Sequence, residues 1–334
     1  GMYYILLDEV QWVDEFEDVL NSYLSIPNAD VYVTGSNSKF LSKDVITEFR
    51  DRGDEIRVYP LSVAEIHEAM PDLPWTQLWE LYLNYGGLPL SVLARTEQEK
   101  VKYLKGLFKE TYLKDIKERN QVKNDYEMEL LLNIISSSIG SLTNPLKLEN
   151  AFRSMGKSKL SSSTIKQYLD YFTDAFLVSK AERFDIKGKK YISTPYKYYF
   201  ADMGLRNARL NFRQIEETHI MENVIYNELC LRGYNVDVGV VEMRETEADG
   251  KIHKKQVEVD FVCNLASKRY YIQSAFALPT HEKEEQEFRP LRNIPDSFKK
   301  IVIVKDDILV RRNDDGITII GLKQFLLDER SLDL

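Results

Sequence analysis

A short apolar run of β-favouring residues, Tyr3-Tyr4-Ile5-Leu6-Leu7, stands almost at the start of the chain and is followed at once by Asp8-Glu9. A continuous apolar run of this kind predicts a strand buried on both faces of a sheet. A helix is predicted to follow through about Tyr23, and further strands are predicted at Ala29 to Thr34 and at Glu55 to Tyr59. Because the strands alternate with a helix, the pattern predicts a parallel α/β sheet.

Gly1 ahead of Met2 resembles a residue left by an expression tag, and a buried strand follows it with no lead-in. Domains seldom begin in this way, so we expect the chain to start inside a fold whose earlier part it lacks. The 334 residues suffice for two or three domains. No apolar run reaches the roughly 18 residues of a membrane-spanning helix, so we expect no membrane partner.

The two cysteines and four histidines show no spacing typical of a metal site, which predicts a cytoplasmic protein without structural zinc. The net charge of −8 argues against binding nucleic acid over the whole surface, although it leaves a local basic patch open.

The rest of the chain divides by pattern. Residues 62 to 118 are predicted to be helical, with a helix end and a tight turn at Gly86-Gly87-Leu88-Pro89. Three helices and a hairpin around Asp185-Ile186-Lys187-Gly188 then follow in winged-helix order. The last third begins with a helix at Thr218 to Leu231 and continues with strands, which predicts a second α/β domain. The polar segment Glu245 to Lys255 is predicted to be a hairpin loop.

The pair Asp8-Glu9 has the residue types that Mg²⁺-assisted phosphoanhydride hydrolysis needs at the end of a sheet strand. The aspartate would hold the metal through water, and the glutamate would orient the attacking water. The alternative is that both acids only cap the following helix. Ser36 and Asn37 fit a polar sensor for the γ-phosphate, and Arg50 or Arg52 fits a charge-stabilising arginine, although turn residues and surface arginines remain the other interpretation.

Several segments together resemble bacterial predicted AAA+ ATPases with a C-terminal domain of unknown function, of the DUF4143 type. The segments are Ile5-Leu6-Leu7-Asp8-Glu9-Val10-Gln11, Thr34-Gly35-Ser36-Asn37-Ser38, Arg50-Asp51-Arg52, Tyr59-Pro60-Leu61-Ser62 and Gly86-Gly87-Leu88-Pro89. The resemblance implies that Asp8-Glu9 is the Walker B motif, that Asp8 is the metal ligand, and that intact relatives use Mg and ATP.

The resemblance implies an α/β multidomain fold. The expected domains are a truncated AAA+ core with a partial P-loop sheet (1–61), a helical lid or linker (62–125), a winged-helix-like domain (126–202) and a restriction-endonuclease-like, PD-(D/E)xK-type α/β domain (203–334).

One departure from the family is large, because no G-x-x-x-x-G-K-[ST] occurs in the sequence. Without this loop there is no backbone cradle for phosphates, so we expect no ATP hydrolysis by this chain alone. A late start, a broken gene or a separate polypeptide that supplies the loop would each explain it. The strands at Tyr3 to Leu7 and Ala29 to Thr34 should still pair. The strand at Glu55 to Tyr59 should either pair with Ala29 to Thr34 or be covered in a homodimer.

A basic stretch lies between Pro145 and Ala201, with eleven Lys or Arg residues against five Asp or Glu residues. The eleven are Lys147, Arg153, Lys157, Lys159, Lys166, Lys180, Arg183, Lys187, Lys189, Lys190 and Lys197. In a winged helix the third helix can enter the major groove while a basic hairpin contacts phosphates. The predicted DNA contacts are Lys157, Lys159, Lys166, Lys187, Lys189 and Lys190, with protein docking or plain solvation as the alternatives.

The C-terminal third resembles the PD-(D/E)xK fold, in which two acidic groups bind Mg²⁺ and a lysine lies near the attacking water. The predicted degenerate nuclease site consists of Glu222, Glu228, Asp260 and Gln273. Gln273 and Ala275 stand where the resemblance expects Glu and Lys, so we expect no cleavage.

We therefore expect a truncated AAA+ relative that acts on DNA or on a protein complex. A DNA- or protein-binding module without enzymatic activity is one alternative, and a nuclease is a disfavoured one.

Overall fold

A computed structural model describes residues 1–10, 13–35, 53–154, 160–213, 215–246 and 252–334. The strands are β1 Tyr3–Leu7, β2 Ala29–Val33, β3 Val178–Asp185, β4 Lys190–Phe200, β5 Asn235–Thr246, β6 Ile252–Leu265, β7 Lys268–Ala275, β8 Lys299–Val304, β9 Arg311–Arg312 and β10 Thr318–Gly321.

The helices, in chain order, begin with one N-terminal helix and continue with a helical segment. They are α1 Phe16–Leu24, α2 Val63–Ala69, α3 Trp75–Tyr85, α4 Pro89–Leu93, α5 Glu97–Gly106, a π-helix Leu107–Leu113, α6 Lys114–Arg119, α7 Asp125–Ser137, α8 Pro145–Ser154, α9 Ser162–Asp174, α10 Met203–Arg209, α11 Glu217–Leu231, α12 His281–Arg292, α13 Leu322–Leu327 and a 3₁₀ turn Ser331–Asp333.

The N-terminal sheet consists, within the described residues, of β1 and β2 in parallel. This pairing confirms the prediction for the first two strands. The predicted strand at Glu55 to Tyr59 is wrong, since residues 53–60 form neither a strand nor a helix. No ladder partner holds this segment among the described residues, and Ile56 and Val58 are 80% and 89% exposed. The guanidinium of Arg57 instead stacks on the ring of Tyr59.

Helix boundaries in the helical segment follow local capping chemistry. Ser62 accepts a hydrogen bond from the backbone N–H of Glu65, whose carboxylate accepts from the N–H of Ser62, so α2 starts with a complete capping box. Thr96 and Glu99 form the same arrangement at α5.

The turn at Gly86 and Gly87 joins segments that are distant in sequence. Gly86 has a φ of +69° at the end of α3, a conformation that favours glycine. The N–H of Gly87 donates to the buried carboxylate of Asp202 at 2.7 Å, and its carbonyl accepts from Leu61 at 2.8 Å. The motifs around Leu61 and Gly87 therefore contact each other, with Asp202 closing the junction.

The large sheet has eight strands in the order β4-β3-β5-β6-β7-β8-β10-β9 and mixes parallel and antiparallel pairs. The predicted three helices and hairpin form as α7, α8, α9 and β3–β4. The hairpin extends the C-terminal sheet, because β3 pairs in parallel with β5. The hairpin predicted at Glu245 to Lys255 forms between β5 and β6, but the bounds of its loop are wrong, since the ladder continues to the pair Thr246 and Ile252. Residues 247–251 lie outside the described residues.

Packing joins the helical segment to this sheet. One cluster of buried apolar residues extends from Val63 to Leu332 and includes helices α2 to α11 on one face of the sheet. Phe288 and Leu291 of α12 belong to a second cluster on the other face. Both faces are thus covered, as in other α/β folds. Within the described residues, no helix is long and apolar enough to cross a membrane.

Candidate functional site

The carboxyl ends of β1 and β2 bring Asp8, Glu9 and Thr34 together. The N–H of Thr34 donates to the carbonyl of Leu7 at 2.9 Å, which extends the parallel ladder by one step. The Thr34 hydroxyl donates to the Asp8 carboxylate and accepts from the N–H of Glu9 at 3.2 Å. The threonine that ends the second strand therefore orients the acidic pair that ends the first.

The charge of Glu9 acts on a residue of the helical segment. The φ of Glu9, +51°, is in the left-handed region, so the chain turns sharply after Asp8. Burial is the main cause of a raised pKa at Asp115 of α6; the charge of Glu9 raises it further, while Arg119 opposes both. Arg119 donates to Asp115 at 2.8 Å. Charged groups of α6 thus share the electrostatic environment of the Asp-Glu pair.

The residues that the structure describes supply only part of a Mg-ATP site. Asp8, Glu9 and the Thr34 hydroxyl are oxygen ligands of the kind that hydrated Mg²⁺ prefers. In the described residues, no group of three or more His, Cys, Asp or Glu side chains is arranged to hold a metal ion. The sequence also contains no phosphate-binding loop. Ser36, Asn37, Arg50 and Arg52 lie outside the described residues.

A second polar cluster is buried in the large sheet around Lys197 of β4, whose side chain is 4% exposed. Its ammonium lies 2.9 Å from Glu222 of α11, 2.5 Å from Glu258 of β6 and 3.7 Å from Asp260 of the same strand. The hydroxyl of Tyr199 donates to Glu222 at 2.7 Å. Three carboxylates from two elements therefore surround one lysine from a third.

The electrostatics of this cluster follow from burial and from the excess of acid. Burial alone would lower the pKa of Lys197, but the three carboxylates outweigh it and raise that pKa. Burial and the neighbouring Glu222 raise the pKa of Asp260 to about 8. The Asp260 carboxyl still accepts the N–H of Ser274 at 2.8 Å. Glu258 is the member nearest to solvent, with 31% of its side chain exposed.

Two of the four predicted nuclease-site residues, Glu222 and Asp260, thus meet at Lys197. Gln273 lies at the margin, where its amide oxygen accepts the N–H of Asp260 at 3.4 Å. Glu228 is elsewhere on α11 and pairs with Arg232 at 2.7 Å.

The predicted DNA contacts are partly described. Lys166 on α9 and the hairpin residues Lys187, Lys189 and Lys190 are exposed. The ammonium of Lys187 donates to the carbonyl of Glu242 at 2.9 Å. Lys157 and Lys159 lie outside the described residues. Lys197, counted with the basic stretch by sequence, is buried and paired, so it adds nothing to a basic surface.

Sequence reasoning missed the role of Lys197. The available signal was a single lysine inside the aromatic strand Tyr196-Lys197-Tyr198-Tyr199-Phe200. Lysine is almost never fully buried unless it is paired. A lysine in such a strand therefore indicates buried carboxylates elsewhere in the chain.

Comparisons with known proteins support the N-terminal assignment. The family described as "AAA domain" matches residues 1–67, and a domain of unknown function, DUF8612, matches residues 76–216. The parallel β1–β2 pair with its acidic end and this match define an AAA-related protein. An uncharacterized protein of Haemophilus influenzae is 34% identical over 330 residues, which cover 97% of this chain and 77% of that protein. The chain belongs to the family of that protein.

A more distant relative is the uncharacterized protein MJ1544 of Methanocaldococcus jannaschii. It is 26% identical over 324 residues, covering 93% of this chain and 69% of that protein. The crystal structure of protein VC1899 from Vibrio cholerae covers 94% of this chain and 69% of that chain at 12% identity, but the TM-score is 0.27. A likeness at that level supports no conclusion about the present fold. The restriction-endonuclease-like and DUF4143 assignments stay predictions.

Proposed function

We propose that this chain is an AAA-related protein that keeps the Walker B half of a nucleotide site and hydrolyses no ATP by itself. Its larger helical and α/β body would act on DNA or on a protein complex. The observation that supports the proposal is the contact of Asp8 with Thr34 at the carboxyl ends of two parallel strands. In P-loop ATPases this edge of the sheet holds the metal and orients the attacking water.

The proposed lack of activity rests on the missing phosphate contacts. In such sites the backbone N–H groups and the lysine of the phosphate-binding loop hold the nucleotide. Asp8 is exposed, and its carboxylate accepts a hydrogen bond from the neutral hydroxyl of Thr34. This half of the site would need a phosphate-binding loop to gain activity, whether from a longer form of the chain or from a separate polypeptide.

Calorimetric titration with Mg-ATP, together with a phosphate-release assay, tests the proposal. We expect no saturable binding in the low micromolar range and phosphate release at the rate of buffer alone. Asp14→Asn, at an exposed acid that precedes α1, is the matched control for Glu9→Gln. The proposal would be overturned if the chain hydrolyses ATP, Glu9→Gln abolishes this hydrolysis and Asp14→Asn retains it.

DNA is the second candidate partner. It is favoured by the exposed lysines of α9 and of the β3–β4 hairpin, the two elements that contact DNA in a winged helix. A fluorescence titration with duplex DNA across a salt series is the test. Lys166→Ala should weaken binding and lower the salt slope by about 0.9. The control is Lys102→Ala, at an exposed lysine on α5. Equal binding by both variants would refute the winged-helix mode and favour protein docking.

A homodimer remains a separate proposal about the N-terminal sheet. Tyr4 and Leu6 of β1 are exposed, and a two-stranded sheet of this kind is stable only when its apolar faces are covered. Light scattering at dilute concentration tests it, and a strict monomer would contradict it.

A further inference from the structure

An open groove of about 480 Å³ lies between the β3–β4 turn, the β6–β7 turn and the segment before β8. Its cations are Lys189, Lys268 and Arg269, and its rings are Phe184 and Phe298. Among the described residues, no carboxylate belongs to the lining of this groove. The combination of clustered cations with aromatic rings distinguishes it from an ordinary solvated lysine patch.

The two lysines of this groove are available to an anion. Lys189 is exposed at the hairpin turn. Lys268 pairs with Asp333 at 2.9 Å, but both side chains are about half exposed, so the pair is weak and exchangeable. The hairpin lysines Lys187 and Lys190 continue the positive charge away from the groove. Successive phosphates of a nucleic-acid strand could therefore each contact one of these lysines.

Arg269 provides a rigid flat surface inside the groove. Its guanidinium lies 5.6 Å from the ring centre of Phe184 and 5.4 Å from that of Phe298. Its Nε donates to the Asn264 side chain at 2.7 Å, which fixes the plane of the guanidinium. Phe298 nevertheless leaves 42% of its surface exposed. Exposed aromatic rings and arginine planes are the groups on which unpaired bases stack.

We propose that this groove binds single-stranded nucleic acid, with phosphates on Lys189 and Lys268 and a base stacked against Phe298 and Arg269. The proposal rests on the DNA partner proposed above and deepens it. A duplex keeps its bases stacked on one another, so it would meet the lysines without using the rings. A single strand would contact the lysines with its phosphates and the rings with its unpaired bases.

Fluorescence anisotropy with a labelled oligothymidylate, measured beside a duplex of the same length, tests the groove. Phe298→Leu keeps an apolar side chain but removes the stacking surface, and should weaken oligothymidylate binding by roughly 5- to 100-fold. Lys189→Ala should lower the salt slope by about 0.7. Lys102→Ala is the control and should change neither. Because Phe298 and Lys189 are exposed, both variants should unfold at the wild-type temperature.

The outcomes separate this groove from the proposed duplex contact. The groove is supported if Phe298→Leu weakens oligothymidylate binding and Lys102→Ala leaves it unchanged. Duplex binding that depends on Lys166, without oligothymidylate binding, overturns the groove and leaves the duplex contact intact. If neither the duplex nor the oligothymidylate binds, both the groove and the duplex contact are overturned. Binding of an acidic phosphopeptide but not of oligothymidylate overturns the nucleic-acid assignment. Oligothymidylate binding that is insensitive to Phe298→Leu overturns the stacking.

Discussion

Replacing Lys197 by methionine removes the ammonium that three buried or half-buried carboxylates share, while keeping most of the side-chain volume. The ammonium contacts Glu222 and Glu258 directly and lies 3.7 Å from Asp260. Removing one partner from a buried ion pair typically costs about 3–5 kcal/mol, because the remaining charge is left without compensation. A domain of ordinary stability has about 5–15 kcal/mol in total. We expect Lys197→Met to remove at least about a fifth of the free energy of unfolding.

The loss should depend on pH in a definite direction. In the wild type, the folded pKa of Asp260 is about 8, above its unfolded value. The stability that protonated Asp260 contributes is therefore complete below about pH 4 and is lost as the pH rises through about 8. Without the Lys197 ammonium, ionised Asp260 would lie beside Glu222 and Glu258 with nothing from residue 197 to offset the repulsion. The difference in stability between variant and wild type should therefore grow from acid to alkaline pH.

Urea denaturation followed by tryptophan fluorescence at pH 6 and pH 8.5 measures both quantities. Lys190→Met, at an exposed lysine of the same strand, is the control and should change stability by less than about 0.5 kcal/mol. Adding Glu222→Gln to Lys197→Met should restore part of the loss, because one uncompensated charge is removed. A loss below about 1 kcal/mol, or an equal loss at the two pH values, would refute the reasoning.

Three further outcomes are expected. Gly87→Ala should destabilise the chain by about 3 kcal/mol in the same urea assay, because a Cβ there would lie 2.0 Å from the carbonyl oxygen of Leu61. A variant as stable as the wild type would contradict this close contact. Burial raises the pKa of both thiols, that of the partly exposed Cys230 to about 11, so Ellman's reagent should react slowly with both until urea exposes them. Prompt reaction of both thiols in buffer would contradict this. The protein should leave supercoiled plasmid intact with Mg²⁺ or Mn²⁺, because the Lys197 ammonium already occupies the cation position among Glu222, Glu258 and Asp260. Plasmid nicking that is lost in Asp260→Asn would instead establish a nuclease.

Local signals predicted the elements of the fold well. Ser161 accepts the N–H of Thr164 and starts α9, the third of the helices predicted before the hairpin. The helix predicted at Thr218 to Leu231 forms as α11, Glu217–Leu231. The strand at Glu55 to Tyr59 failed because an apolar alternation specifies a strand only when a neighbour completes its hydrogen bonds.

Non-local pairing is what the sequence did not predict. The membership of the β3–β4 hairpin in the large sheet depends on the parallel register of Arg183 with Val238, which no local pattern encodes. The cluster around Lys197 depends in turn on that sheet, because α11 and β6 supply its carboxylates. The Asp8–Thr34 contact was easier to foresee, since consecutive parallel strands end at the same edge of a sheet.

The order of the large sheet also has a consequence during synthesis. β3 pairs with β4 on one side and with β5 on the other. β3 ends at Asp185 and β5 starts at Asn235, which is 50 residues later. At translation rates of about 5–20 residues per second, the ribosome needs roughly 3 to 10 s to add that stretch. The growing chain therefore carries an open strand edge for seconds, a template for pairing with another nascent copy. The charged side chains of Glu182, Arg183 and Asp185 near this edge are of the kind that discourages such pairing.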